Sequence, residues 1–173
     1  VIKVLINRAY RTGPWGGGAN FVNAFFDHAK EYEISVTTSL ADNPDIVLMI
    51  DPRYDELGLS ANELVQYTNQ KNIPLIQRIN ECDARKGTTD IDKMLLSCSK
   101  HLTHSVFVSN WLQYYHMSND NGWYCNSNSV IYNGVDSNIF RPGNKLNNQK
   151  VNIVAHHWSD NRLKGADIYE EID

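Results

Sequence analysis

Long apolar runs, an excess of basic charge and patterned cysteines are all missing from this chain, and each absence removes a class of protein. No stretch approaches the ~20 apolar residues that a bilayer-crossing helix needs. The opening residues 1–6 are too short for the apolar segment of a signal peptide and lack its flanks. Sixteen basic against twenty acidic side chains give a formal net charge of −4, the reverse of what a general nucleic-acid or membrane-surface binder carries. Trp123 and Tyr124 stand without basic interleaving, which argues against a stacking platform for nucleic acid and for a loop anchor instead. The three cysteines, Cys82, Cys98 and Cys125, have unrelated spacings, so they write neither a disulfide framework nor a zinc site. A reducing, cytoplasmic setting is the expectation. Short internal repeats and low-complexity tracts are absent too.

What is present is the composition of a folded domain. With 173 residues, 42% hydrophobic and 21% charged, the chain affords one core of ordinary size. Apolar, β-branched runs at 2–6, 34–38, 45–50, 73–79, 105–109 and 129–132 alternate with helix-like stretches. Most of these runs are continuously apolar, as strands buried on both faces of a parallel sheet require. Between them, Phe21, Val22, Phe25, Phe26 and Ala29 recur at helical spacing over 19–30. Ser60-Ala61-Asn62-Glu63 is a capping box opening a helix to about Lys71. Thr89 or Asp90 is placed to cap a helix through Met94, Leu95 and Leu96, and Ser109 to cap 110–117. The expected fold class is α/β, a doubly wound parallel sheet of Rossmann-like type, with ligands at the carboxyl ends of the strands.

Several loops at that edge carry chemistry. Gly16, Gly17 and Gly18 follow the first strand and open the first helix, where backbone N–H groups and the helix dipole suit a phosphate or sugar. A plain flexible turn is the alternative. The dinucleotide fingerprint fails here, because the second strand ends Val36-Thr37-Thr38-Ser39 with no acid for a ribose, and no Gly-Lys-Ser/Thr marks a P-loop. Arg78, Asn80 and Glu81 leave the fourth strand as a polar group able to hold sugar hydroxyls or a phosphate. A solvated loop with local ion pairs reads equally well, and Asp51-Pro52-Arg53-Tyr54 carries the same ambiguity. Glu81 and Asp83 on one loop fix no separation, so paired-carboxylate hydrolysis is a weak reading. His101 and His104 straddle a strand entrance, where side chains alternate between faces, and make a poor metal site. His28 and His116 read as helix-surface residues. No Ser-His-Asp or Cys-His arrangement has a supporting local signature.

The end of the chain is the most specific part. Val130-Ile131-Tyr132-Asn133-Gly134-Val135-Asp136 is a short strand running into an Asn-Gly-Val-Asp turn, and Phe140-Arg141-Pro142 follows. A polar linker at 144–149 then leads to a strand at 151–155 and to Trp158-Ser159-Asp160-Asn161-Arg162-Leu163-Lys164-Gly165 before a helix near Ala166. These segments, with the Gly16–Gly18 loop and the Val106-Phe107-Val108-Ser109-Asn110 strand end, resemble family 4 glycosyltransferases of the GT-B fold.

The resemblance implies a first, acceptor-side domain over 1–143 and the start of a nucleotide-sugar-binding domain over 150–173. It implies a nucleotide-sugar donor, a glycan or other small acceptor, and transfer with retention of configuration. The leaving diphosphate would be stabilised by cations and backbone donors, without a metal or other cofactor. Gly16, Gly17, Gly18, Arg78, Asn80, Glu81, Ser109 and Asn110 would line the substrate side. Lys164 would bind donor phosphate, with His157 or Arg162 in place of the family's second cation. The family's paired glutamates, with seven residues between them, do not occur, so no catalytic residue is assigned, and the expectation is a truncated enzyme inactive alone. The rival readings are a non-catalytic doubly wound binding module and a nucleotide-sugar-modifying Rossmann enzyme.

Overall fold

The computed structural model describes residues 1–13, 15–55, 58–118 and 122–143, together with Ile168 and Glu171. Two compact units divide the chain, Val1–Tyr132 and Asn133–Asp173. The first is the expected α/β fold. Its strands are β1 Ile2–Ile6, β2 Ile34–Thr37, β3 Ile46–Met49, β4 Leu75–Ile79, β5 His104–Phe107 and β6 Asn128–Val130. They form one six-stranded sheet in the order β2-β1-β3-β4-β5-β6, and every pairing is parallel.

The continuous apolar runs are buried from both sides, as their composition requires. Leu5, Val47, Met49 and Leu75 face Leu64 of helix α2 (Ala61–Lys71) and Cys98 of α4 (Ile91–Ser99). Ile6 and Ile50, one residue out of phase, pack with Val22 of α1 (Gly17–His28). A third cluster joins Ile79 and Phe107 to Leu95 of α4 and Leu112 of α5 (Asn110–Ser118). Helix α1 follows β1 on one face and α2 follows β3 on the other, so the chain reverses direction between β1 and β3. In open parallel sheets that reversal leaves a crevice at the carboxyl ends of the two strands.

Boundaries move where local chemistry differs from the pattern. Helix α1 begins at Gly17 rather than at 19, because Gly16 takes the N-cap position in extended conformation. Gly17 and Gly18 are therefore the first helical residues, not loop. The helix ends at His28 and a 3-10 turn, Ala29–Tyr32, completes the segment before Glu33 adopts a left-handed conformation. The capping box at Ser60 and Glu63 is present in both directions, and Ser109 Oγ accepts from the Leu112 N–H at 3.2 Å. Strand β4 starts at Leu75, after Pro74, which has no N–H to give the ladder but whose carbonyl accepts from Val47 N–H at 3.0 Å.

In the second unit, a turn begins at Asp136 rather than at Asn133. Its carbonyl accepts from Ile139 and Phe140 N–H, and its carboxylate accepts from Asn138 N–H at 2.8 Å, the self-bonding that favours Asp in turns. Ile168 and Glu171 are helical and exposed. The linker at 144–149, the strand at 151–155 and His157, Arg162 and Lys164 lie outside the described residues.

Candidate functional site

The carboxyl edge between β1 and β3 is built on Asn7, a fully buried polar residue directly after the β1 run. Its Oδ1 accepts from the Ile50 N–H at 2.7 Å, and its Nδ2 donates to the carbonyls of Asp51 at 2.7 Å and Leu59 at 3.0 Å. One amide thus joins the ends of two neighbouring strands and the far end of the loop after β3. Buried polar groups survive only when satisfied in this way.

Arg8 continues the same task. Its guanidinium donates to the carbonyls of Asn7, Asp51 and Arg53 and lies 3.7 Å from both Asp51 and Asp55 carboxylates. Burial lowers its pKa from the ordinary arginine value, against the raising pull of Asp51 and Asp55. The loop reaches Arg8 because residue 58 is glycine: a Cβ there would stand 2.3 Å from the Asn7 carbonyl oxygen and 3.0 Å from Arg8 Nη1. Arg11 closes the near side with a 2.6 Å ion pair to Asp55. Asn23 of α1 fixes the Arg11 backbone by accepting from its N–H at 3.0 Å and donating to its carbonyl at 2.6 Å. The Arg11 guanidinium also lies 5.1 Å from the ring centre of the half-exposed Trp15.

Arg53 carries the network toward β4. Its Nε and Nη2 grip the two Asp51 oxygens at 2.9 and 2.6 Å, and Nη2 also reaches Glu81 at 2.8 Å. Lys86, in the short helix α3 (Asp83–Lys86), takes the other Glu81 oxygen. Burial opposes the charge on Asp51, but the Arg53 hydrogen bonds and the charges of Arg53 and Arg8 outweigh it and hold the carboxyl below its ordinary value. Hydrogen bonding to Asp51 is the main reason that Arg53 is raised. Arg8, Arg11, Arg53 and Lys86 thus face Asp51, Asp55 and Glu81, four cations against three carboxylates. Each of these carboxylates is held by a cation, so none of them is poised as a general base.

The next stretch of chain is pinned differently. Asp83 accepts from Thr88 Oγ1 and from the N–H groups of Ile91 and Asp92, while Asp92 accepts from the Asp83 N–H at 3.0 Å and from the Tyr115 hydroxyl at 2.7 Å. Each aspartate caps the other's helix. Asp90, at the N-cap position, makes no side-chain cap, so the expected capping by Thr89 or Asp90 is corrected to Asp83. Glu81 and Asp83 bond to different partners and form no carboxylate pair. The hydrogen bond to Asp92 is also the first cause that pushes the Tyr115 phenol up to about 12.

His116 overturns its expected surface position. It is 3% exposed, ringed by Phe107, Tyr115 and Trp123, and its Nε2 lies 3.2 Å from the Glu81 carbonyl. A carbonyl only accepts, so Nε2 carries the proton. Burial lowers the His116 pKa, against weaker raising by that bond and by Asp92 and Asp83. The Cys82 thiol is raised by burial and the Cys98 thiol is pushed up to about 11, so neither is an activated nucleophile.

The predicted residues within the described part share one sheet edge but not one network. Gly16, Gly17, Gly18, Arg78, Asn80, Glu81, Ser109 and Asn110 all stand at or beyond the carboxyl ends of β1, β4 and β5. Glu81 alone of them joins the ion-paired network. Arg78 is buried, with its guanidinium 4.2 Å from the Phe21 ring centre, and Ser109 serves as a helix cap. Gly17 and Gly18 have open space around them. Asn7, Arg8, Arg11, Asp55 and Lys86 had not been expected; the polar pair Asn7-Arg8 at the end of a continuous apolar run was the signal for those two residues. Among the described residues no group of three or more His, Cys, Asp or Glu could hold a metal ion, and no helix is long and apolar enough to cross a membrane. No protein-family model and no curated protein sequence matches the chain.

Proposed function

We propose that Val1–Tyr132 is the acceptor-side domain of a retaining glycosyltransferase with the GT-B arrangement, and that the acceptor docks against Arg53, Glu81 and Lys86. The observation that carries this reading is the paired-charge network at the β1–β3 reversal, next to the glycine-led start of α1. Two further features support it. Every carboxylate of the network is ion-paired, as suits a reaction that leans on fixed charges rather than on a free base. The segments that resemble family 4 enzymes also lie at strand ends of the same edge or beyond β6. In such a transfer the acceptor hydroxyl forms a bond to the anomeric carbon, the bond to the leaving diphosphate breaks, and the hydroxyl proton passes to the diphosphate. Lys164, with His157 or Arg162, is the proposed cation set for that diphosphate.

The test is incubation of a protein carrying both domains of the proposed arrangement with a panel of nucleoside-diphosphate sugars and small glycans, without metal. Release of nucleoside diphosphate with a glycoside of retained configuration is expected. Absence of turnover across the panel, with a folded protein, rejects the reading. The full pairing of the carboxylates equally suits a non-catalytic binding module, and acceptor binding without turnover would favour it.

A further inference from the structure

We propose that the site takes an anionic group, a phosphate or carboxylate borne by the acceptor, between Arg53 and Lys86. The inference rests on the acceptor reading above and narrows its substrate class. It starts from an asymmetry of exposure. The side chains of Arg53 and Lys86 are 43% and 47% exposed, whereas Glu81, which both of them hold, is 15% exposed and Asp51 26%. A ligand approaching from solvent therefore meets the positive ends first, with the carboxylates beneath them.

Both cations have donors to spare. The Arg53 fork uses Nε and Nη2 on Asp51 and Glu81, and the described residues give Nη1 no hydrogen-bond partner. Lys86 donates to Glu81, and an ammonium carries three N–H groups. The carboxylates act as a scaffold: they fix the guanidinium in one orientation and keep it charged, which lowers the entropy lost when an anion docks. A neutral sugar seeks acceptors as well as donors, and the Asp51 oxygens are already committed to Arg53. A cationic ligand would meet guanidinium and ammonium tips. Among the described ion pairs this subsite balances two cations against two carboxylates, and the cations are the more exposed pair, so its selectivity comes from which charge faces solvent.

Calorimetric titration of the intact protein with inorganic phosphate, glucose 6-phosphate, glucuronate and glucose, at low and at moderate ionic strength, tests the proposal. At least one anion should bind tenfold or more tightly than glucose, and added salt should weaken it. Glucose 6-phosphate against glucuronate distinguishes a phosphate ester from a carboxylate as the recognised group. Arg53→Gln and Lys86→Gln should each weaken the anion about tenfold or more, a charge-assisted contact being lost. Lys86→Arg should retain most of the binding, with thermal midpoints unchanged. Glucose binding as well as the anions, or anion binding untouched in both glutamine variants, would overturn the proposal. Anion binding without any sugar transfer would leave this site standing and remove the glycosyltransferase reading. Transfer to neutral acceptors alone would do the opposite.

Discussion

The acids that follow β3 and those that follow the first turn after β4 have the same chemistry and opposite uses. Asp51, Asp55 and Glu81 are held by arginine and lysine side chains, two of which present their charge to solvent. Asp83 and Asp92 are held by backbone N–H groups and hydroxyls, and no cation pairs with them among the described ion pairs. The first set makes a charged surface whose partners can be exchanged for a ligand. The second set satisfies helix ends that would otherwise be orphaned, which is a folding task. The type of partner, rather than the type of acid, separates site from scaffold.

Arg8 belongs to both sets, since it bonds three carbonyls as well as two carboxylates, and removing it or a group that holds only backbone should cost stability. Arg8→Met should cost most, about 3 kcal/mol, because three carbonyls and two carboxylates lose a mostly buried partner; chemical denaturation measures it. Asp83→Ala should lower the unfolding midpoint, three acceptor contacts being lost, with the loss of protection in hydrogen exchange concentrated at 83–92. Gly58→Ala should cost about 2 kcal/mol, since the new methyl meets backbone rather than a flexible side chain. An alanine that leaves the unfolding midpoint unchanged would show that the loop does not sit on Asn7.

His116 supplies a smaller, pH-dependent effect. Its folded pKa is depressed, so its contribution is present above the unfolded value of about 6.5 and is lost as pH falls. Unfolding free energy should fall between about pH 7 and pH 5, and His116→Gln should flatten that slope. Asp51 is likewise depressed, but its window lies below about pH 4, the unfolded aspartate value. The Arg53 clamp should stay intact in the range where His116 titrates, which makes the two effects separable by proton NMR.

The fold was legible because the strands are continuously apolar and the intervening helices carry their own caps. Boundaries moved where one residue's backbone overruled the pattern, as at Gly16 and Pro74. The site was legible only in part. Glu81 and the Asp51-Arg53 segment stand out as polar residues at strand ends. The contacts of Arg8 with residues 51–55, and of Asn7 with Leu59, span more than forty positions. Only the strand order β2-β1-β3 brings those residues together, and local sequence does not encode it. His116 was misjudged although Leu112 lies four residues before it, on the same buried helical face. Lys86 was hidden because a lysine after an acidic turn looks the same whether it is solvated or clamped.

Arg53 is where the contrast between site and scaffold is sharpest, since it touches two acids and yet is exposed enough to meet a ligand. The most direct measurement is sugar transfer by a protein carrying both domains of the proposed arrangement, wild type against Arg53→Gln, with the thermal midpoint recorded on the same samples. The account predicts that transfer from a nucleoside-diphosphate sugar falls tenfold or more, a loss of about 1.4 kcal/mol or more in transition-state stabilisation, while the midpoint shifts by no more than about 3 °C. Transfer that survives at the wild-type rate, or a variant that unfolds instead of losing activity, would contradict it.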